Sequence, residues 1–187
     1  MSDEDRENLG PLAPLLGVWE GDAGVDTAPS AERGTAVSRF RERTVFEPTG
    51  RIDNHEQTLY GLRYFTEAWR LGAENTFHEE VGYWLWDAEN GQVLRCFVVP
   101  RGITIVAGGD ATADATSFRL AAERGSTTYG ITANRFLDRE FRTVRFEETV
   151  TFDGFDTFSY REDTELELPG RDGTFHHTDE NTLHRVD

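Results

Sequence analysis

The chain has 187 residues, with 35 acidic side chains against 19 basic ones, every basic one an arginine, and a net charge of −16. A field of that sign repels phosphate backbones and anionic bilayers, which argues against nucleic acid and acidic lipid surfaces as partners. There is no run of 18 apolar residues and the acidic opening Met1–Arg6 lacks a signal-peptide pattern, so a single cytoplasmic domain is expected.

Residues 1–10 read as a disordered acidic lead, and residues 11–187 as one domain. Pro11 and Pro14 allow only a short helical turn before Gly17. Val18–Val25 reads as a first strand with glycines that permit bends, and residues 26–35 as a polar loop. Strands then dominate, at Ala36–Phe46, Gln57–Trp69 and Phe77–Asp87. Asn90-Gly91 is a strong hairpin signal, and Gln92–Val99 follows it. Cys96 lies in this last run. A lone cysteine excludes an intramolecular disulfide and multi-cysteine metal sites, and in such a run it reads as a small strand residue.

Ile103–Ala107, Ser117–Ala122 and Thr127–Thr132 come next, with a loop expected at Ala133–Asp138 and a long strand over Arg139–Phe152. From Phe158 to Leu168 the pattern alternates most cleanly, yet Glu162 and Thr164 stand in line with Phe158, Tyr160 and Leu168. The last strand, Phe175–Val186, carries three of the five histidines. His177 shares a face with Phe175, Asp179 and Leu183, while His176 and His184 lie on the other. No helical period of useful length appears. About ten strands with short Gly-rich turns predict an all-β fold, a closed antiparallel barrel of the lipocalin or fatty-acid-binding type, with a sandwich as the runner-up. The barrel is preferred because polar side chains interrupt the inward face, which a ligand cavity tolerates better than a dry core.

An imidazole among apolar neighbours, as at His177, is either a hydrogen-bonded core residue or a metal or haem ligand. His78 shares a face with Glu80 and Trp84, so it is either paired with Glu80 or turned into a cavity. Arg101, in Pro100-Arg101-Gly102, is either an exposed turn residue or a guanidinium at a barrel mouth, placed for a carboxylate. Nucleotide-binding, zinc-protease and serine-hydrolase motifs are absent.

Three segments together resemble the nitrobindin-like haem-binding β-barrels. They are Leu12-x-Pro14-Leu15-x-Gly17-x-Trp19-x-Gly21, His78-x-Glu80-x-Gly82-Tyr83, and His177 with Leu183 six residues later. The resemblance spans residues 12–186. It implies a ten-stranded barrel holding haem b, with His177 as the axial iron ligand, His176 as the one-residue alternative, and His78 lining the cavity. It also implies binding of nitric oxide by ferrous iron and isomerisation of peroxynitrite to nitrate by ferric iron. On that reading Trp84, Phe97 or Tyr160 would wall the open iron face, and Asp179 could take the second ring nitrogen of His177. Arg101 falls where the family usually has an uncharged residue, so its part in holding the cofactor rests on its chemistry alone. Two other readings stay open. One is a non-catalytic carrier of a small hydrophobic ligand, and the other is a mononuclear metal site using His176 or His177 with Asp179. The sequence sets no oligomeric state; a homodimer is compatible with it.

The acidic surplus predicts a halophilic source, because dissolved salt screens self-repulsion within a few ångströms. Thermal melting in molar and in low salt checks this: the melting temperature should fall as salt is removed.

Overall fold

The computed structural model describes residues 6–186. A 3-10 turn, Gly10–Leu15, is followed by β1 (Gly17–Pro29), β2 (Thr35–Asp53), β3 (Thr58–Arg70), β4 (Thr76–Asp87), β5 (Gln92–Val99), β6 (Ile103–Asp110), β7 (Ser117–Glu123) and β8 (Ile131–Ala133). A short helix, α1 (Arg135–Glu140), then leads into β9 (Arg142–Asp153), β10 (Thr157–Glu167) and β11 (Phe175–Arg185). The sheet order is β5-β4-β3-β2-β1-β11-β10-β9-β7-β6, with β8 beside β6, and β5 pairs with β6. That last pairing closes ten antiparallel strands into a barrel, and β8 is an appendage. Closure leaves no bare edge on a chain built almost wholly of strands.

The two ends of the barrel differ. At one end the 3-10 turn drives Leu12 and Leu15 into the lumen, where they pack with Leu9, Trp19, Leu62 and Trp86, all at most 4% exposed. The indole of Trp19 donates to the Leu15 carbonyl at 2.6 Å. Gly10 has φ +53°, and a Cβ there would lie 2.5 Å from the Trp86 indole nitrogen, so only glycine suits the approach. Arg185, at the end of β11, donates to the carbonyls of Pro14 and Leu16 and stacks 4.4 Å from the Trp19 ring centre. This ties the last strand to the plug. The other end is open and is rimmed by Pro29, Ser30, Phe77, Arg101, Leu137 and Phe141.

Three local expectations are corrected. The lead is not free up to residue 10: residues 1–5 lie outside the described residues, but Leu9 is 2% exposed because an apolar side chain at the barrel foot has a core to join. The polar loop expected at 26–35 shrinks to 30–34, since β1 runs on through Asp26 to Pro29. Its inward residues there are Asp26 and Ala28, one charged and one small, so no apolar alternation announces the strand. The loop expected at Ala133–Asp138 gives way to α1, whose first turn is capped by the Asn134 side-chain Oδ1 accepting from the amides of Phe136 and Leu137. Six residues are too few to display a helical period.

If the plug is part of the core, Leu12→Ala should cost about 2–5 kcal/mol in urea unfolding with little change in slope.

Candidate functional site

A cavity of 610 Å³ runs from the open end to the plug. Its size falls within the range of about 300–1,000 Å³ usual for small-molecule sites. His177, His78, Arg101, Trp84 and Tyr160 all line it. His176 does not: it is exposed on the outer face, its Nδ1 2.9 Å from Asp163. Period-two geometry forces this, because neighbours in a strand point to opposite faces. Of the two adjacent histidines only His177 faces the cavity.

The ring of His177 is held by Asp26, not by Asp179. Its Nε2 stands 2.9 Å from Asp26 Oδ1. Asp26 also accepts from Arg70 at 2.7 Å and from Ser38 at 3.2 Å. Burial alone would raise the pKa of Asp26; the contact with His177 and the charge of Arg70 outweigh it and hold the carboxyl below its ordinary value. With the Nε2–H donated to this carboxylate, a neutral imidazole keeps its lone pair on Nδ1. Sequence reading missed Asp26 because it lay in the stretch read as loop.

The β-sheet register sets four carboxyl groups side by side around the inner wall. Asp26 of β1 is opposite Asp179 of β11, which is opposite Glu162 of β10, which is opposite Glu148 of β9. Like charges directly across strands are unfavourable, so each needs a remedy. Asp26 has Arg70 and His177. Glu162 and Glu148 share Arg95. Asp179 has no hydrogen bond or ion pair among the described residues; burial, and then the neighbouring Glu162 and Asp26, push its pKa well above the carboxylate range. The proton is its remedy.

Arg95 organises the middle of the cavity. It is 7% exposed, in the inward register Val93, Arg95, Phe97. Its Nη2 donates to Glu80 at 2.6 Å, its Nη1 lies 2.6 Å from Glu148 and also donates to Glu162, and its Nε donates to the Tyr64 hydroxyl at 3.0 Å. The rings of Phe97 and Trp84 stand 4.6 and 5.2 Å from the guanidinium carbon. One cation cannot neutralise three carboxylates, and the two extremes separate. Burial raises Glu80, but Arg95 and His78 overcome that and bring it to about 2. Burial raises Glu148 as well, Arg95 offsets only part of this, and its pKa stands at about 8.

His78 sits 3.7 Å from Glu80, and that carboxylate raises its pKa against the opposing effect of burial. Tyr160 donates to Glu42 at 2.7 Å, and Asn181 donates to the same carboxyl at 3.1 Å. Tyr160 is therefore part of a polar network, and Trp84 and Phe97 supply the aromatic wall. Arg101 is exposed at the mouth, and its guanidinium makes no ion pair among the described residues. Arg95, Glu42 and Glu148 were missed in the sequence. A charged residue on the buried face of a strand, as Arg95 is between Val93 and Phe97, was the available signal.

The described residues contain no group of three or more His, Cys, Asp or Glu arranged to hold a metal ion. With His176 outside the barrel, a bare ion on His176 or His177 with Asp179 is not supported. A haem makes a smaller demand, because its macrocycle brings four of the iron's donors and the protein need add one imidazole. An imidazole whose other nitrogen is held by a carboxylate is the usual arrangement of a metal-binding histidine, and the residues present fit that requirement.

The family model described as "THAP4-like, heme-binding beta-barrel domain" matches residues 8–185, and the chain belongs to that family. Among solved structures it is similar to Rv2717c from M. tuberculosis, with a TM-score of 0.70 and 22% identity over 96% of this chain and 98% of that one. That likeness concerns the fold. No curated protein matches the sequence.

The Arg95 cluster gives a pH test. A carboxyl whose folded pKa is raised, as at Glu148, favours folding fully below its unfolded pKa, and this contribution is lost as pH rises through about 8. Glu148→Gln should therefore gain on the wild type in melting temperature between pH 5 and about 8.5, where the wild-type carboxyl loses its proton against burial. Parallel melts across that range check it.

Proposed function

We propose that this member of the haem-binding barrel family holds haem b in its cavity, and that His177 would be the residue that binds the iron, through the ring nitrogen that Asp26 leaves free. The observation that carries the reading is the His177–Asp26 pair on the wall of a 610 Å³ cavity that is open at one end. When bound, the cofactor would supply the redox and ligand chemistry: nitric oxide binding in the ferrous state and conversion of peroxynitrite to nitrate in the ferric state.

The protein's own residues do five things. Asp26, anchored by Arg70 and Ser38, fixes the tautomer and the direction of the His177 ring. Phe40, Phe97 and Phe146 give the cavity apolar surface for a flat ring system. His78, with its proton favoured by Glu80, stands inside the cavity as a hydrogen-bond donor to a small polar guest. Arg101 waits at the mouth for a carboxylate of the cofactor. The plug at the opposite end restricts approach to that mouth.

Hemin titration of the purified protein tests the reading. The wild type should give a sharp Soret band that saturates at one equivalent, and His176→Ala should match it. His177→Ala should lose or shift the band, and Asp26→Asn should weaken uptake by about 10- to 100-fold. Full uptake with an unchanged band in His177→Ala would overturn the assignment. Stopped-flow decay of peroxynitrite with nitrate as the counted product then separates an isomerase from a nitric oxide binder.

A further inference from the structure

We propose that the barrel is charged unevenly from end to end so that small anions gather at its open mouth, with Arg101, Arg135 and Arg171 as the collecting charges. The proposal deepens the peroxynitrite reading, since it says how such an anion reaches the cavity. The charge layout on which it rests does not depend on a bound haem.

Four links between strands lie at the plugged end: 54–57, 88–91, 111–116 and 154–156. Contacts hold them there together. Gln57 donates to Asp87, the Ala111 amide donates to the Gly91 carbonyl, and Arg185, which grips the plug, donates to the Phe155 carbonyl. These links contain Glu56, Glu89, Asp114 and Asp156 and no arginine. The strands that run into them end on Asp53, Asp87, Asp110 and Asp153. Among the described residues, only Asp53 and Asp156 of this set have an arginine in reach, Arg51 and Arg185. Asp87 is 1% exposed and is held by amides: Asn90, Gln57 and Gln92 donate to it. Burial would raise its pKa, but those donors outweigh burial and hold it below its ordinary value.

The opposite end is different. Its links, 30–34, 71–75, 100–102, 134–141 and 168–174, carry five arginines against five acidic residues. Two of those acids are taken up locally, Asp138 by Arg124 and Glu140 by Arg33 and Arg139. Arg101, Arg135 and Arg171 are exposed and make no ion pair among the described residues. Of the unpaired charges at this end only Arg101 lines the opening; Glu32, Glu74 and Asp172 do not. Arg70 and His78 line the cavity below it. A balanced mouth opposite a foot of uncompensated carboxylates sets up a field along the barrel axis, and an anion drifts along it toward the opening. Such fields raise encounter rates by about tenfold or more, and they fade as the Debye length shrinks from about 10 Å at 0.1 M salt to about 3 Å at 1 M.

Paramagnetic relaxation of backbone amides by two nitroxides with the same ring, anionic carboxy-PROXYL and cationic aminomethyl-PROXYL, reads the local anion excess on the full chain without haem. In about 0.15 M salt the anion-to-cation ratio of relaxation rates should be about twofold or more higher at residues 101–102 and 171–174 than at 88–91 and 113–116. The contrast should shrink toward 1 M. Combining Arg101→Gln, Arg135→Gln and Arg171→Gln should lower the ratio at the mouth and leave the foot unchanged. Combining Glu56→Gln and Glu89→Gln should raise the ratio at the foot alone, and serves if the arginine variant melts early. Equal ratios at the two ends of the wild type, or a contrast that neither variant narrows, would overturn the proposal. Hemin plays no part in the measurement, so its failure to bind would bear on the cofactor reading alone.

Discussion

The barrel is held in register at mid-height by one guanidinium. Arg95 on β5 reaches Tyr64 on β3, Glu80 on β4, Glu148 on β9 and Glu162 on β10. Those strands stand on opposite sides of the lumen. Apolar side chains alone would pack across it in many arrangements, whereas an arginine with fixed donor directions accepts few. A buried ion cluster adds little net stability, since desolvation consumes most of the Coulomb gain, but losing one member leaves a charge stranded at a cost of about 3–5 kcal/mol. The cluster therefore penalises wrong closures more than it rewards the right one.

The same cluster divides the interior. On the plug side the lining is aromatic and dry, with Trp19, Phe46, Phe152 and Phe158 in contact. On the open side lie His177, His78 and Asp26. A flat apolar guest has room only where side chains do not already interdigitate, so the polar layer sets a floor for it. Asp26 belongs to the upper part and answers to Arg70 rather than Arg95. The ring of His177 is thus oriented by a carboxylate whose charge is balanced locally, independent of the deeper cluster.

Much of this was legible in the sequence. The inside–outside pattern of Phe158–Leu168 predicted a strand, and Glu162 and Thr164 in its inward register pointed to a cavity and so to a barrel instead of a sandwich. The faces of Phe175–Val186 were also right: Phe175 and Leu183 are buried at 3% and 0%, and His176 turns outward. What was not legible is partnership. Asp26 and His177 are 151 residues apart, and nothing local at either says that they meet. Asp179, two residues from His177 on the same face, was a candidate partner or a residue pointing to the mouth, but a residue two along a strand lies beside the ring's base, while the neighbouring strand can approach its tip. Arg95 was hidden for the opposite reason. Its strand is so apolar that it read as a buried run around Cys96 and Arg95 was given no face, although the alternation of Val93 and Phe97 places it inside.

One consequence of closure explains why so many acidic groups tolerate one cavity. In an open sheet, water would reach each carboxyl, keep it ionised, and leave mutual repulsion to splay the strands. Inside a closed wall the cost of an unpaired charge rises steeply, and protonation becomes the cheaper state. Glu80, next to both Arg95 and His78, remains ionised; Glu148, sharing the same arginine, and Asp179, with none, are pushed toward the neutral acid. Proton occupancy is thus set by how many cations and donors each carboxyl meets, not by residue type. That is why a chain of net charge −16 can line its interior with carboxyl groups and still close its barrel.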